Sequence, residues 1–241
     1  MLQEFKNFIK NILFWCGVMA GLSLLFFLPL FAGRSPSVLV FEALKRDFLP
    51  PGVELVVTNP LTAFLAQVTV SLALAFIFSF PFMLWRAMRY LSPALFDKEK
   101  RAVAWVLIPS SALFFAGCAF AYLFIIPSTF ALLYPFAASL GAIPFFQVGE
   151  FVQLIFAILL ATGVLFLLPV GMALLSFLGL IEPGFWRRNW RYSLMLFLIF
   201  SAIITPDGTG ITMIMLSVPL ITLYGIGMFS AVRIEGRDIK K

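Results

Sequence analysis

The chain has no histidine among its 241 residues and only two cysteines, Cys16 and Cys118. Without imidazole it lacks the usual general base and the commonest metal ligand, which argues against hydrolase triads and imidazole metal sites. The cysteines lie far apart inside apolar runs and form no CxxC pattern, so both read as small buried hydrophobes with no redox or zinc role. Charge is scarce as well, with 17 Lys and Arg and 11 Asp and Glu. None of these falls well inside an apolar run, which disfavours ion-coupled transporters and proton pumps, whose pathways carry intramembrane ionisable groups. There is no paired-aspartate or GxSG constellation for an intramembrane protease. The formal charge of +6 is not a nucleic-acid footprint, because the basic residues sit at the ends of apolar segments and form no aromatic-interleaved patch.

What is abundant is apolar: 62% of residues are hydrophobic and 30 are Phe. That composition belongs to a membrane protein. Apolar runs cover about 12–31, 63–84, 103–126, 151–180, 192–204 and 211–232. Continuous runs of this kind predict helices, since barrel strands of about ten alternating residues would not produce them. The first run follows Lys6 and Lys10 and exceeds a signal-peptide core, so it reads as an uncleaved span. The expected fold is an all-α integral membrane protein in which residues 1–241 form a single polytopic domain of six spans. Prolines 29, 81, 109, 127, 169 and 219 in or beside the spans are expected to kink the helices into a concave bundle.

Basic residues set the orientation, because Lys and Arg near span ends stay in the cytoplasm. Fourteen of the seventeen flank one side, within 6–10, 86–101, 187–191 and 233–241, while Arg34, Lys45 and Arg46 occupy the other. Both termini are therefore expected inside. Trp186, Trp190 and Tyr192 read as an interfacial belt. The fifth run, Tyr192 to Ile204, makes only about 20 Å of helix against a hydrocarbon core of about 30 Å. The turn Thr205-Pro206-Asp207-Gly208-Thr209-Gly210 then joins the fifth and sixth helices, both expected to be short, in a tight hairpin.

On the outer side, Val38 to Phe48 is expected to form an amphipathic helix stopped by Pro50-Pro51. Val53 to Thr58 is strand-like, and the uncharged stretch from Ser128 to Gly149 is expected to be a loop lying on the bilayer or the helices. Gly17 and Gly21 form a GxxxG packing signal, and Gln67 and Gln153 can bond across helices. The first inner loop, WRAMRYLSPALFDKEKR from Trp85 to Arg101, sets an apolar turn directly before Asp97 and Glu99. An acid in an otherwise basic loop can pair bidentately with an arginine of a partner, while the turn seats that partner's apolar neighbours.

The pattern YLSPALFDKEKR at Tyr90 to Arg101, AYLFIIP ending at Pro127, FLLPV from Phe166 to Val170 and ITPD at Ile204 to Asp207, in this order, resembles the TatC family, the C subunit of the twin-arginine protein translocase. The resemblance covers essentially the whole chain. It implies a receptor in the cytoplasmic (inner) membrane of a prokaryote, with no cofactor and no catalytic step. Such a receptor binds twin-arginine signal peptides of folded proteins and recruits single-span partners of the TatA and TatB type into an oligomeric complex. In the family a first-loop glutamate contacts the arginine pair, and Glu99 holds that place here, with Arg101 two residues on and Tyr90, Pro93 and Leu95 around the apolar turn. Leu2, Glu4 and Lys6 match the family's HLxELRxR in a degraded form, making Glu4 a second acidic contact. Thr205, Pro206 and Asp207 match the outer turn, whose neighbourhood meets TatB-type helices. Leu167 stands where the family usually carries Glu or Gln, so a partner contact there would be made by packing alone. The competing class is a small-solute permease or channel.

Overall fold

The computed structural model of the chain describes residues 2–29, 34–49, 53–91, 97–139, 145–205 and 210–238. Their order is α1 (Leu2–Phe27), α2 (Pro36–Phe48), β1 (Glu54–Val56), α3 (Pro60–Leu91), α4 (Asp97–Phe120), a π-helical segment (Ala121–Ile125), α5 (Ile126–Ser139), β2 (Phe145–Gln147), α6 (Val148–Leu165), α7 (Leu168–Phe177), α8 (Pro183–Arg188), α9 (Trp190–Ile204) and α10 (Ile211–Asp238). Among the described residues, each of the six apolar runs is helical over most of its length. Four helical stretches, Pro60–Ala87, Val106–Pro135, Val148–Phe177 and Ile211–Ser230, are long and apolar enough to cross a membrane. Ile12–Phe27 and Trp190–Ile204 are shorter apolar helices. The chain packs as two compact units, Met1–Ala94 with Tyr134–Ala157, and Leu95–Leu133 with Ile158–Lys241.

In the first unit α1 and α3 run antiparallel along a seam of large rings. Phe14 meets Phe82, Trp15 meets Phe76, Phe26 meets Phe78 and Phe27 meets Phe64, at centroid separations of 5.5 to 6.1 Å. Helix α2 starts with Pro36 in its first turn, where the missing N–H costs nothing, and buries Ser37, Leu44 and Phe48 on one side. It ends at Leu49, before Pro50-Pro51. Gln67 donates to Ser35 Oγ at 3.0 Å and to Ser37 Oγ at 3.4 Å, so this intramembrane amide ties α3 to the start of α2. Gln153 is exposed. Strand β1 pairs in parallel with β2, Leu55 opposite Phe146, and Gln147 Nε2 donates to Thr58 Oγ1 at 3.1 Å.

The second unit relies on close backbone approach. A Cβ on Gly117 would fall 2.9 Å from Gly163 Cα, and one on Gly227 would fall 2.9 Å from Pro169 Cα. The fourth apolar run is broken at Phe166-Leu167, where Pro169 opens α7. Gly179, at φ +68°, then closes α7 in a conformation that glycine adopts without strain.

Several expectations are corrected. The sixth helix is not short: α10 has 28 residues, because its polar tail continues the helix beyond the apolar run. Most of the predicted loop 128–149 is ordered differently, since α5 passes through Pro135 to Ser139 and β2 follows. In apolar surroundings the backbone stays helical across a single proline, although that proline donates no bond. Cys118 is buried, but Cys16 is exposed, on the face of α1 turned away from the α3 seam. Among the described residues nothing stands within 4 Å of where a Cβ on Gly17 or Gly21 would be, so the GxxxG pair is not used for close packing there.

Candidate functional site

The antiparallel register of α1 and α3 fixes which ends of the helices share a level. Phe14 lies beside Phe82, and the Arg86 guanidinium carbon stands 4.2 Å above the Phe14 ring. Glu4 and Lys6 lie in the first turns of α1, and Tyr90 in the last turn of α3. After a gap of five residues α4 opens at Asp97, with Glu99 third and Arg101 fifth in the helix. Carboxylates in a first helical turn complement the positive end of the helix dipole, which accounts for Asp97 and Glu99 starting a helix in so basic a segment. Pro93 and Leu95 lie outside the described residues.

The residues expected to meet a partner helix fall in the second unit, apart from Pro206 and Asp207, which lie outside the described residues. Leu167 occupies the break between α6 and α7, partly exposed, its carbonyl accepting from Gly171 N–H at 3.0 Å. Its neighbour Phe166 is buried and packs on Phe120 at 5.6 Å. The break therefore turns Phe166 inward and leaves Leu167 at the surface. Thr205 is buried and its hydroxyl donates to the Ser201 carbonyl at 2.7 Å, so this donor is used within the helix end.

Helix α9 has 15 residues, about 22 Å of length. Within it Phe197 and Ser201 are buried. Phe197 packs edge-on against Tyr224 of α10 at 5.6 Å, and Ser217 Oγ lies 3.1 Å from Ser201 Oγ. The opposite face, including Tyr192 and Ile203 at 73% exposure each, is apolar and uncovered. Sequence reasoning missed the serine pair, although small polar residues are common where helices approach closely in membranes. Trp186 is also not a simple belt residue. Its Nε1 donates to Ser176 Oγ at 2.9 Å, and its carbonyl accepts from the Tyr224 hydroxyl at 2.6 Å, which ties α7, α8 and α10 together. Trp190 and Tyr192 are exposed, as an interfacial position requires.

Long apolar helices with charge gathered at their ends define a multi-pass helical membrane protein. The chain belongs to the TatC family: the family model described as Sec-independent protein translocase protein (TatC) matches residues 1–219. It is thus a component of the twin-arginine translocase, and the permease reading is not favoured. TatC of Cenarchaeum symbiosum is 38% identical over 199 residues, covering 83% of this chain and 75% of that protein. TatC of Aquifex aeolicus is 32% identical over 193 residues, covering 79% and 80%. The crystal structure of the twin arginine translocase receptor TatC superposes with a TM-score of 0.79 at 27% identity, covering 96% of this chain and 99% of that one.

Proposed function

We propose that the chain is the signal-peptide receptor and core subunit of its translocase, a binding protein with no catalytic step of its own and no cofactor. Residues 1–241 act as one polytopic membrane domain that crosses the bilayer six times with both termini in the cytoplasm. The distribution of Lys and Arg supports this orientation. Glu99 is the principal contact for the arginine pair of a twin-arginine signal peptide. Glu4 is a second acidic contact, Lys6 and Arg101 border the site, and Tyr90, Pro93 and Leu95 seat the peptide's apolar residues. The observation that carries this reading is an acidic residue in the first turn of a helix that opens from a strongly basic segment. The name of the superposed crystal structure, a twin arginine translocase receptor, points the same way.

Single-span partners of the TatA and TatB type dock along α9 and its outer turn, with Thr205, Pro206, Asp207 and Leu167 at the contact, in an oligomeric complex. Helix α9 falls about 8 Å short of a 30 Å hydrocarbon core, and a helix laid beside it covers the thinned bilayer.

The test is titration of a twin-arginine peptide into the detergent-solubilised full chain. A charge-assisted pair contributes about 1.5 to 3 kcal/mol, so Glu99→Gln is expected to weaken binding at least several-fold. Unchanged affinity overturns the assignment.

A further inference from the structure

Arg86 is not a solvated loop residue. It is partly buried on α3, with its guanidinium carbon 4.2 Å from the centroid of the Phe14 ring. Its Nε is enclosed, and among the described residues it has no hydrogen-bond partner and no acidic side chain pairs with it. One turn before Phe14 on α1, Lys10 is exposed and likewise makes no ion pair among the described residues. Both cations flank apolar runs of the sequence, Lys10 preceding the run 12–31 and Arg86 following the run 63–84. That is the level of lipid headgroups. A guanidinium stacked on a ring keeps its N–H donors in its own plane, where phosphate oxygens can accept two of them.

We propose that Arg86 and Lys10 hold the phosphodiester headgroup of an anionic glycerophospholipid against the α1–α3 pair. The occupant is a lipid, not free phosphate, because apolar surface continues from the cations toward the membrane interior. Leu13, Phe14 and Trp85 are 65%, 49% and 41% exposed, a bed for an acyl chain that inorganic phosphate would leave uncovered. An anionic lipid is selected over a zwitterionic one because two cations face the headgroup, and a zwitterionic lipid brings a cation of its own.

The experiment uses the delipidated full chain in non-ionic detergent and reads quenching of tryptophan fluorescence, Trp15 and Trp85 lying on the same helix pair. The quenchers are phosphatidylglycerol and phosphatidylcholine with brominated acyl chains. Half-quenching by phosphatidylglycerol is expected at a concentration at least about fivefold lower, the factor expected for one juxtamembrane cation. Arg86→Gln and Lys10→Gln should each reduce that preference, and Arg86→Lys should keep more of it than Arg86→Gln. Lys10→Gln changes an exposed residue, so it decides the matter even if Arg86→Gln does not fold. Equal quenching by both lipids in the unaltered chain overturns the proposal, as does a preference that survives Lys10→Gln in full. Displacement of phosphatidylglycerol by millimolar inorganic phosphate identifies a free-phosphate site and also overturns it.

Discussion

The two units solve the same packing problem with opposite materials. Between helices in lipid there is little hydrophobic drive, so association depends on van der Waals contact and on a few hydrogen bonds. The first unit obtains that contact with rings, four pairs along the α1–α3 seam, which reach across a wide gap and can shift to suit it. In the second unit Gly117, Gly163 and Gly227 let backbone lie against backbone, with Cys118 and Phe114 pressed on Gly163. The glycines that carry the recognised motif, Gly17 and Gly21, belong to the ring-packed unit, and among the described residues nothing stands where their Cβ atoms would be. A small-residue motif therefore shows where close approach is possible. Whether it is used depends on which face the neighbouring helix meets.

Substitutions at these positions separate the two modes. The largest effect is expected from Gly117→Ala, whose new methyl would meet a backbone atom at 2.9 Å. Over-packing of this kind costs about 1 to 3 kcal/mol, visible as a lowered thermal midpoint of the detergent-solubilised chain. An unchanged midpoint would mean that the second unit is not held by backbone contact. Phe27→Leu should cost less, about 0.5 to 1.5 kcal/mol for the lost edge-on contact with Phe64. A loss as large as that of Gly117→Ala in the same assay would remove the distinction between an adaptable and a rigid seam. The smallest change is expected from Gly17→Ala with Gly21→Ala. No atom opposes either methyl, and the helix gains roughly 0.5 to 1 kcal/mol per site from the lost glycine flexibility. Destabilisation of the monomer by this pair would show that the α1 face is packed after all.

The apolar helices were legible because a long continuous apolar run favours a backbone whose hydrogen bonds are all made within the segment. The amphipathic α2 was legible too, with Pro36 opening it and Pro50-Pro51 following it. Helix ends were less so: α10 continues through polar residues and past Gly236, and α5 crosses Pro135. The π-helical segment went unforeseen, although Pro127 lies two residues beyond it and the Ile126 N–H reaches back to the Ala121 carbonyl. A proline clashes with the carbonyl four residues earlier, and widening the preceding turn relieves that clash. At the candidate site, residue types could be read but internal engagement could not. Nothing in the sequence says that the Thr205 hydroxyl is taken by Ser201 or that Trp186 is clasped between Ser176 and Tyr224.

The small parallel sheet has a consequence for biogenesis. Glu54 pairs with Phe145, 91 positions later, so at roughly 5 to 20 residues per second β1 waits about 5 to 20 seconds for its partner to be made. Two long apolar stretches, Pro60–Ala87 and Val106–Pro135, are synthesised in that interval. If both cross the membrane, β1 and β2 emerge on the same side and can close. If one fails to insert, the strands are stranded on opposite faces of the bilayer and no pairing is possible. Closure of these three residue pairs is therefore open to a nascent chain that has threaded both intervening helices and closed to one that has threaded only one of them.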